Sequence, residues 1–266
     1  MKKGFTLIEL LVVIAIIGLL SSMVLVSIKG TTQEAEKKRA MQLSSSLQHS
    51  LTLYALGMWS FDDNLKDSSD NGNDGQPVGT GITYVDGIMG KAVKLDGTGY
   101  VSIPLTESLR NKSGAFTMEF WAKVDNVSDY MFFVANFHPV AASMAYTCYH
   151  NATNLVCSIL IDPMEGSASF TVNSAVKVNQ WFHVVLTYDG KTASSAKLYF
   201  NGKAYNPTTN TLTGPFQTNQ VNIGASRFGS NLLKGSIEGV RIYDSYMTLS
   251  EVEKHYTEGL KEFVLK

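Results

Sequence analysis

Trp181-Phe-His-Val-Val-Leu-Thr-Tyr188-Asp189-Gly190, followed by Lys197-Leu-Tyr-Phe200-Asn201-Gly202, decides how the larger part of this chain folds. Both runs are short and rich in β-branched and aromatic residues, which suit a pleated, half-buried surface. Each ends in a turn dipeptide, Asp-Gly or Asn-Gly, so the two read as strands of a hairpin. Outward from them the same pattern recurs in Met58-Trp-Ser-Phe61, Ala92-Val-Lys-Leu95, Tyr100-Val-Ser-Ile103, Phe116-Thr-Met-Glu-Phe-Trp121, Val221-Asn-Ile223 and Gly239-Val-Arg-Ile-Tyr243. Many short strands punctuated by Gly, Asn, Asp and Ser predict an all-β sandwich or barrel. Beyond them, Ser250-Glu-Val-Glu253 has the form of a capping box and predicts a short C-terminal helix.

Before Gly57 the periodicity is helical. The run from Leu10 to Ile28 is apolar apart from small Gly and Ser residues, and is near the roughly 20 residues that cross a bilayer. A secretory signal peptide would carry small residues in an Ala-x-Ala-like pattern after such a run; Ser21-Ser22-Met23 matches it poorly and apolar sequence continues past it. Lys2-Lys3 favours a cytoplasmic N-terminus. Glu9 is the anomaly, because an acid inside an apolar helix costs about 2.5–3.5 kcal/mol on insertion scales. A cut between Gly4 and Phe5 would place a new amino terminus one turn from Glu9, able to neutralise the Glu9 of a neighbouring subunit. A plain anchor, with Glu9 snorkelling to the interface, is the alternative. Ala35, Ala40, Leu43, Leu47, Leu51 and Tyr54 continue a helical stripe. From Phe5 to Tyr54 the helix would be about 50 residues and ~75 Å long if continuous.

The formal net charge of −1 argues against nucleic acid as a partner, since phosphate binding needs a clustered basic surplus. The densest basic run, Lys37-Lys38-Arg39, follows Glu34 and Glu36 and reads as a solvated helix face or a membrane-surface contact. Cys148 and Cys157 flank the polar turn Asn151 to Asn154, so a hairpin would bring them opposite each other. In an exported chain such a pair closes as a disulfide; two unlinked core thiols are the alternative. Two cysteines without paired histidines cannot complete a zinc site.

Met1-Lys-Lys-Gly4-Phe5-Thr-Leu-Ile-Glu9 resembles the type IV pilin and pseudopilin class, in which a short basic leader ends in Gly before Phe-Thr-Leu-Ile-Glu and a hydrophobic helix. The resemblance covers about the first 30 residues. It implies cleavage after Gly4 by a prepilin peptidase, N-methylation of Phe5 and a role for Glu9 in assembly with other pilin subunits. A second resemblance lies in Trp59-Ser-Phe-Asp62, Asp67-Ser-Ser-Asp-Asn-Gly-Asn-Asp-Gly75, Val85-Asp-Gly-Ile-Met-Gly-Lys-Ala-Val-Lys-Leu-Asp-Gly97, Trp181 to Gly190, Leu198 to Gly202 and Gly235-Ser-Ile-Glu-Gly-Val-Arg-Ile-Tyr243. Their order is similar to that of the concanavalin A-like, laminin G-like jelly-roll family. The division expected is a leader over 1–4, a transmembrane and assembly helix over 5–56, a sandwich over 57–258 and a tail over 259–266.

Asp62 to Gly75 is rich in the hard oxygen donors that calcium takes. An EF-hand does not fit, because starting one at Asp70 puts Gly72 at the third ligand and Gly81 at the twelfth. The jelly-roll resemblance implies instead a structural calcium shared by Asp67, Asn73 and Glu238, although family members often carry Asp where Glu238 stands and an acid where Gly239 stands. The bland reading is a loop held by Asx-turns. Glycoside hydrolysis needs two neighbouring carboxylates; Glu119 is followed by Trp121 and only then Asp125, and Glu165 is isolated, so no enzyme is expected. His183 reads as core or cross-strand packing. His138 and His150 lie among Tyr130, Phe132, Phe133, Phe137, Tyr146 and Tyr149, rings that fill the sandwich or, if exposed, stack on sugar rings. The expectation is a single-pass prepilin of the inner membrane that becomes part of a cell-surface pilus and displays the sandwich to glycan or protein ligands. A type II secretion pseudopilin, or a structural filament subunit without ligand, are the alternatives.

Overall fold

The computed structural model describes residues 7, 11, 12, 14–16, 55–137, 144–161, 166–215, 220–226 and 228–264. The chain passes through β1 (Ala55–Trp59), β2 (Gln76–Gly79), β3 (Ile82–Asp86), β4 (Lys91–Asp96), β5 (Gly99–Ile103) and β6 (Phe116–Val124). It then forms β7 (Met131–Phe137), β8 (Met144–Asn151), β9 (Asn154–Leu160) and β10 (Ser167–Val172). β11 (Phe182–Tyr188), β12 (Lys197–Phe200), β13 (Lys203–Tyr205), β14 (Thr209–Asn210), β15 (Val221–Ile223) and β16 (Lys234–Tyr243) lead into the helix α1 (Leu249–Val264).

Two antiparallel sheets result. One runs β13-β12-β11-β6-β16-β4-β3 with β1 added against β16, and the other runs β14-β10-β9-β8-β7-β15-β5-β2. Aromatic rings join them across the core: Phe116 stacks on Tyr146 at 5.3 Å, and Phe133 lies 5.6 Å from Phe120 and 5.4 Å from Phe182. The expected sandwich is therefore present; from the aromatic stretch Phe133 and Tyr146 fill its core, whereas Tyr130, Phe132 and Tyr149 form a ring cluster of their own. Phe133, Tyr146 and His150 are fully buried, while Tyr130 is 38% exposed.

Every residue of β11 is buried. One face, with Val184, Leu186 and Tyr188, joins the core. The other is covered where α1 crosses β6 and β11. Tyr256 stacks on Trp121 at 5.7 Å and on His183 at 5.8 Å, and an added Cβ at Gly259 would come within 2.6 Å of the Trp121 ring. Burial on both faces explains why the stretch reads as a continuous apolar run. Cys148 lies opposite Cys157 across the β8–β9 ladder, and the two form the expected disulfide.

Several expectations shift. The first strand begins at Ala55, and Ala55 and Leu56 are buried in it rather than ending a helix, so the sandwich starts before residue 57. Residues 259–264 continue α1 instead of forming a tail. The capping box is Thr248 with Glu251, not Ser250 with Glu253. The Glu251 carboxylate accepts from the Thr248 N–H at 2.7 Å, and Thr248 Oγ1 accepts from the Glu251 N–H at 3.5 Å. Strands β2, β3, β7, β10, β13 and β14 are additional to those read from the sequence. At the N-terminus Leu7, Leu11, Val12, Ile14, Ala15 and Ile16 are helical and exposed. Among the described residues no helix is long and apolar enough to cross a membrane. Gly4, Phe5, Glu9, most of the Leu10–Ile28 run and the stripe to Tyr54 lie outside the described residues, as does His138.

Candidate functional site

The β16 strand carries a bulge against β6 between Glu238 and Arg241, with Gly239 at φ +58°. A glycine tolerates this left-handed backbone, and the extra residue changes the phase of the strand. Val240 and Ile242 consequently face the core, while Arg241 stands opposite Glu119. Glu238 reaches the turn between β3 and β4. Its carboxylate accepts the backbone N–H groups of Ile88 at 2.5 Å and of Met89 and Gly90 at 2.8 Å. Gly87 is needed there, because a Cβ would lie 2.1 Å from Glu238 Oε2. Asp62 completes the clamp by accepting from the Lys91 N–H at 2.7 Å.

Asp67 and Asn73 are brought together, but not with Glu238 as one donor set. Asp67 accepts the N–H groups of Met58 and Ser69 on one oxygen, each at 2.9 Å, and that of Asn73 on the other at 3.0 Å. Asn73 is buried, with its amide oxygen receiving the Thr106 and Ser108 hydroxyls and its NH₂ donating to Leu56 O. The Trp59 indole N–H donates to Asn73 O at 2.9 Å. N–H and O–H donors present positive charge to these oxygens, and the cavity beside Glu238 is also lined by Arg241 but not by Asp67 or Asn73. The three residues therefore do not fit a shared calcium. They hold the 62–75 loop and the 87–91 turn against β1 and β16. Among the described residues no group of three His, Cys, Asp or Glu side chains is placed to hold a metal.

Glu119, which stands alone in the sequence, is the centre of a buried ionic cluster under α1. It is fully buried and meets His183 Nε2 at 2.9 Å, His255 Nδ1 at 2.9 Å and Arg241 at 3.3 Å. Burial alone raises its carboxyl, but the His255 and Arg241 charges and the two imidazole hydrogen bonds hold it well below its ordinary range. The Glu119 charge raises His255, whereas burial lowers His183. This arrangement keeps His183 neutral and pairs Glu119 with two cations. Its chemistry is that of a clasp between α1 and the sheet. Sequence reading missed it because Glu119, Arg241 and His255 come from three distant elements.

A cleft of a different character opens where the β10–β11 loop meets the β12–β13 turn. Its lining includes Asn173, Lys177, Gln180, Trp181, Asn201 and Tyr205, and its volume, open mouth included, is about 620 Å³. No carboxylate lines it. The loop is pinned at three points: Ser174 N–H to Asn154 Oδ1 at 3.0 Å, Val176 N–H to Thr153 O at 2.9 Å, and Asn179 N–H to Val124 O at 2.9 Å. Asn201 is fixed by its side-chain oxygen, which accepts from the His183 N–H at 2.8 Å. Ser174, Asn179 and Asn201 all have positive φ, at 52°, 58° and 49°. Left-handed non-glycine residues cluster at ligand clamps more often than elsewhere. The only linear signal for this cleft was Gln180-Trp181 beside the strand, which alone says nothing of a cavity.

Comparison with known proteins agrees with both halves of the chain. The model of the concanavalin A-like lectin/glucanases superfamily matches residues 95–253, and that of the prokaryotic N-terminal methylation motif matches residues 1–25. The type II secretion system core protein G of Escherichia coli (strain K12) is 40% identical over 55 residues, which are 21% of this chain and 38% of that protein. The chain thus spans little more than a third of that curated relative. A type IV major pilin protein of Neisseria gonorrhoeae is 27% identical over 128 residues, 48% of this chain and 73% of that protein. The sandwich is similar in fold to domain 4 of a GH43 extracellular arabinanase from Geobacillus stearothermophilus, solved in complex with arabinotriose. The TM-score is 0.56 at 20% identity, covering 76% of this chain and 97% of that one. The chain belongs to the concanavalin A-like lectin/glucanases superfamily through its sandwich, and its N-terminus carries the methylation motif of the type IV pilin and pseudopilin class.

Proposed function

We propose that this protein is a minor type IV pilin-like subunit. A prepilin peptidase cleaves it between Gly4 and Phe5 and its single N-terminal helix holds it in the inner membrane. Assembly then brings it to the cell surface, where the sandwich binds a glycan or protein ligand. The observation that carries the reading is the union in one chain of a methylation motif over residues 1–25 and a lectin/glucanase-type sandwich over 95–253. The arabinotriose complex of the arabinanase domain supports a binding role by analogy of fold alone. Binding is favoured over hydrolysis because the Trp181 cleft has no carboxylate in its lining, whereas glycosidases need an acid and a base or nucleophile. Glu119 is held in its ionic cluster.

A second reading, a type II secretion pseudopilin, is favoured by the 40% identity to core protein G. Mass spectrometry of the protein recovered from membranes and sheared filaments tests both. The expected N-terminal peptide begins at N-methylated Phe5, and the subunit is recovered from surface filaments at low copy number. Retention of Met1, or cleavage beyond the apolar run, would refute processing as a pilin. Correct processing with absence from surface filaments would favour the pseudopilin.

A further inference from the structure

The Trp181 cleft combines three features that together describe a ligand. The first is aromatic: Trp181 and Tyr205, both half-buried, belong to the cleft lining. The second is a set of amides, Asn173, Gln180 and Asn201, around those rings. Sugars offer the matching chemistry, with C–H faces for an aromatic ring and hydroxyls for the amides. The third feature is charge. Lys177 lines the cleft and is exposed, Lys123 Nζ lies 5.1 Å from the centre of the Trp181 ring, and Lys203 Nζ lies 5.6 Å from that of Tyr205. With Lys177 in the lining, Lys123 and Lys203 beside its two aromatic residues and no carboxylate among the lining residues, the local field favours an anion.

The frame is also stiff. The pinned loop, the Asn201 hydrogen bond and the contact of Phe182 with Phe200 at 5.6 Å hold walls and floor before any ligand arrives. Preformed walls reduce the ordering cost of binding.

We propose that the Trp181 cleft binds a saccharide bearing a carboxylate, with a sugar ring stacked on the Trp181 indole and the carboxylate drawn to Lys177. This rests on the reading of the sandwich as a ligand-binding module and gives that module a place and a ligand class. Uronic and sialic acids share the required chemistry.

The test uses the purified full-length protein in detergent and isothermal titration with two acidic probes, oligogalacturonate and sialyllactose. Carboxyl-reduced oligogalacturonate and lactose serve as neutral counterparts. At least one acidic probe is expected to bind at least about tenfold more tightly than its neutral counterpart, and which one binds identifies the source of the acid. Trp181→Ala is expected to weaken that binding about tenfold or more. Lys177→Ala, at an exposed position, is expected to weaken it about threefold and to reduce its salt dependence. Circular dichroism checks that both variants stay folded, and Val78→Ala, at an exposed position outside the cleft lining, serves as the unchanged control. Equal affinity for acidic and neutral probes overturns the charge assignment. Acidic binding unaltered by both cleft variants places the site elsewhere and overturns this assignment. Silence of the folded protein toward both acidic probes overturns it as well. None of these outcomes alters the N-terminal peptide or filament recovery, so failure here is distinguishable from failure of the pilin reading.

Discussion

Glu119 shows how one residue's meaning depends on what folds onto it. In the sequence it is an acid two positions before a tryptophan; in the molecule it is a fully buried anion between an arginine and two histidines. Breaking such an arrangement leaves uncompensated buried charge, which is why it acts as a clasp. Because His255 is raised above its ordinary value of 6.5, the folded state holds its proton more tightly than the unfolded chain does. Its contribution is therefore fully present below pH 6.5 and is lost as the pH rises through the raised value. Glu119 is depressed below its ordinary 4.5, so its contribution is present above that value and lost as the pH falls through the depressed one. His183, lowered by burial, likewise loses its contribution as the pH falls through its own depressed value. The difference in unfolding free energy between the native protein and His255→Gln is expected to be largest between pH 4.5 and 6.5 and to shrink as the pH rises through the raised His255 value. Urea unfolding at several pH values measures it, and a difference that stays constant would refute the charged state of His255.

At the scale of the element, α1 illustrates a helix whose composition is set by the surface beneath it. Gly259 lies in its interior, where glycine is a poor helix former by about 1 kcal/mol relative to alanine. Propensity alone predicts that Gly259→Ala stabilises the protein. The structure predicts the opposite, since the new Cβ would lie 2.6 Å and 3.0 Å from the Cζ2 and Cε2 atoms of buried Trp121. Overpacking of this kind typically costs about 1–3 kcal/mol. A lower urea midpoint for Gly259→Ala is expected, and a raised one would show that α1 does not approach the sheet so closely. The same contrast separates the two helix-cap readings. Both Thr248 and Ser250 have an acid three residues on, and only docking of the helix through Val252 and His255 selects Thr248 as the cap.

For the whole molecule, the two halves answer to different solvents. The sandwich buries its own core between two sheets, whereas the apolar N-terminal run requires lipid or other helices. On the pilin reading, Glu9 is tolerated in that environment only with a partner charge, which the Phe5 amine of a neighbouring subunit supplies. Glu9→Ala is therefore expected to leave cleavage after Gly4 intact while abolishing incorporation into filaments. Sheared-filament recovery beside the processed membrane pool measures this, and normal incorporation would overturn the role assigned to Glu9.

The sequence by itself determined the class of each half. Turn dipeptides, β-branched runs and the cysteine spacing report local geometry, and local geometry was enough for the sandwich, the β8–β9 hairpin and its disulfide. The N-terminal motif is likewise legible because its chemistry lies within a few consecutive residues. Only the tertiary structure decided the fate of the isolated polar residues. The jelly-roll resemblance implies a calcium role for Glu238, whereas the bulge at Gly239 aims it at the N–H groups of the 88–90 turn. Lys177, Trp181 and Tyr205, of which the linear chain marks only Trp181 and that as the start of a strand, line one cleft because a loop and a turn from different parts of the sheet meet there. The physical reason is range. Strand and turn preferences act between neighbours, whereas the partners of a buried charge or the walls of a cleft exist only once distant strands have found their register.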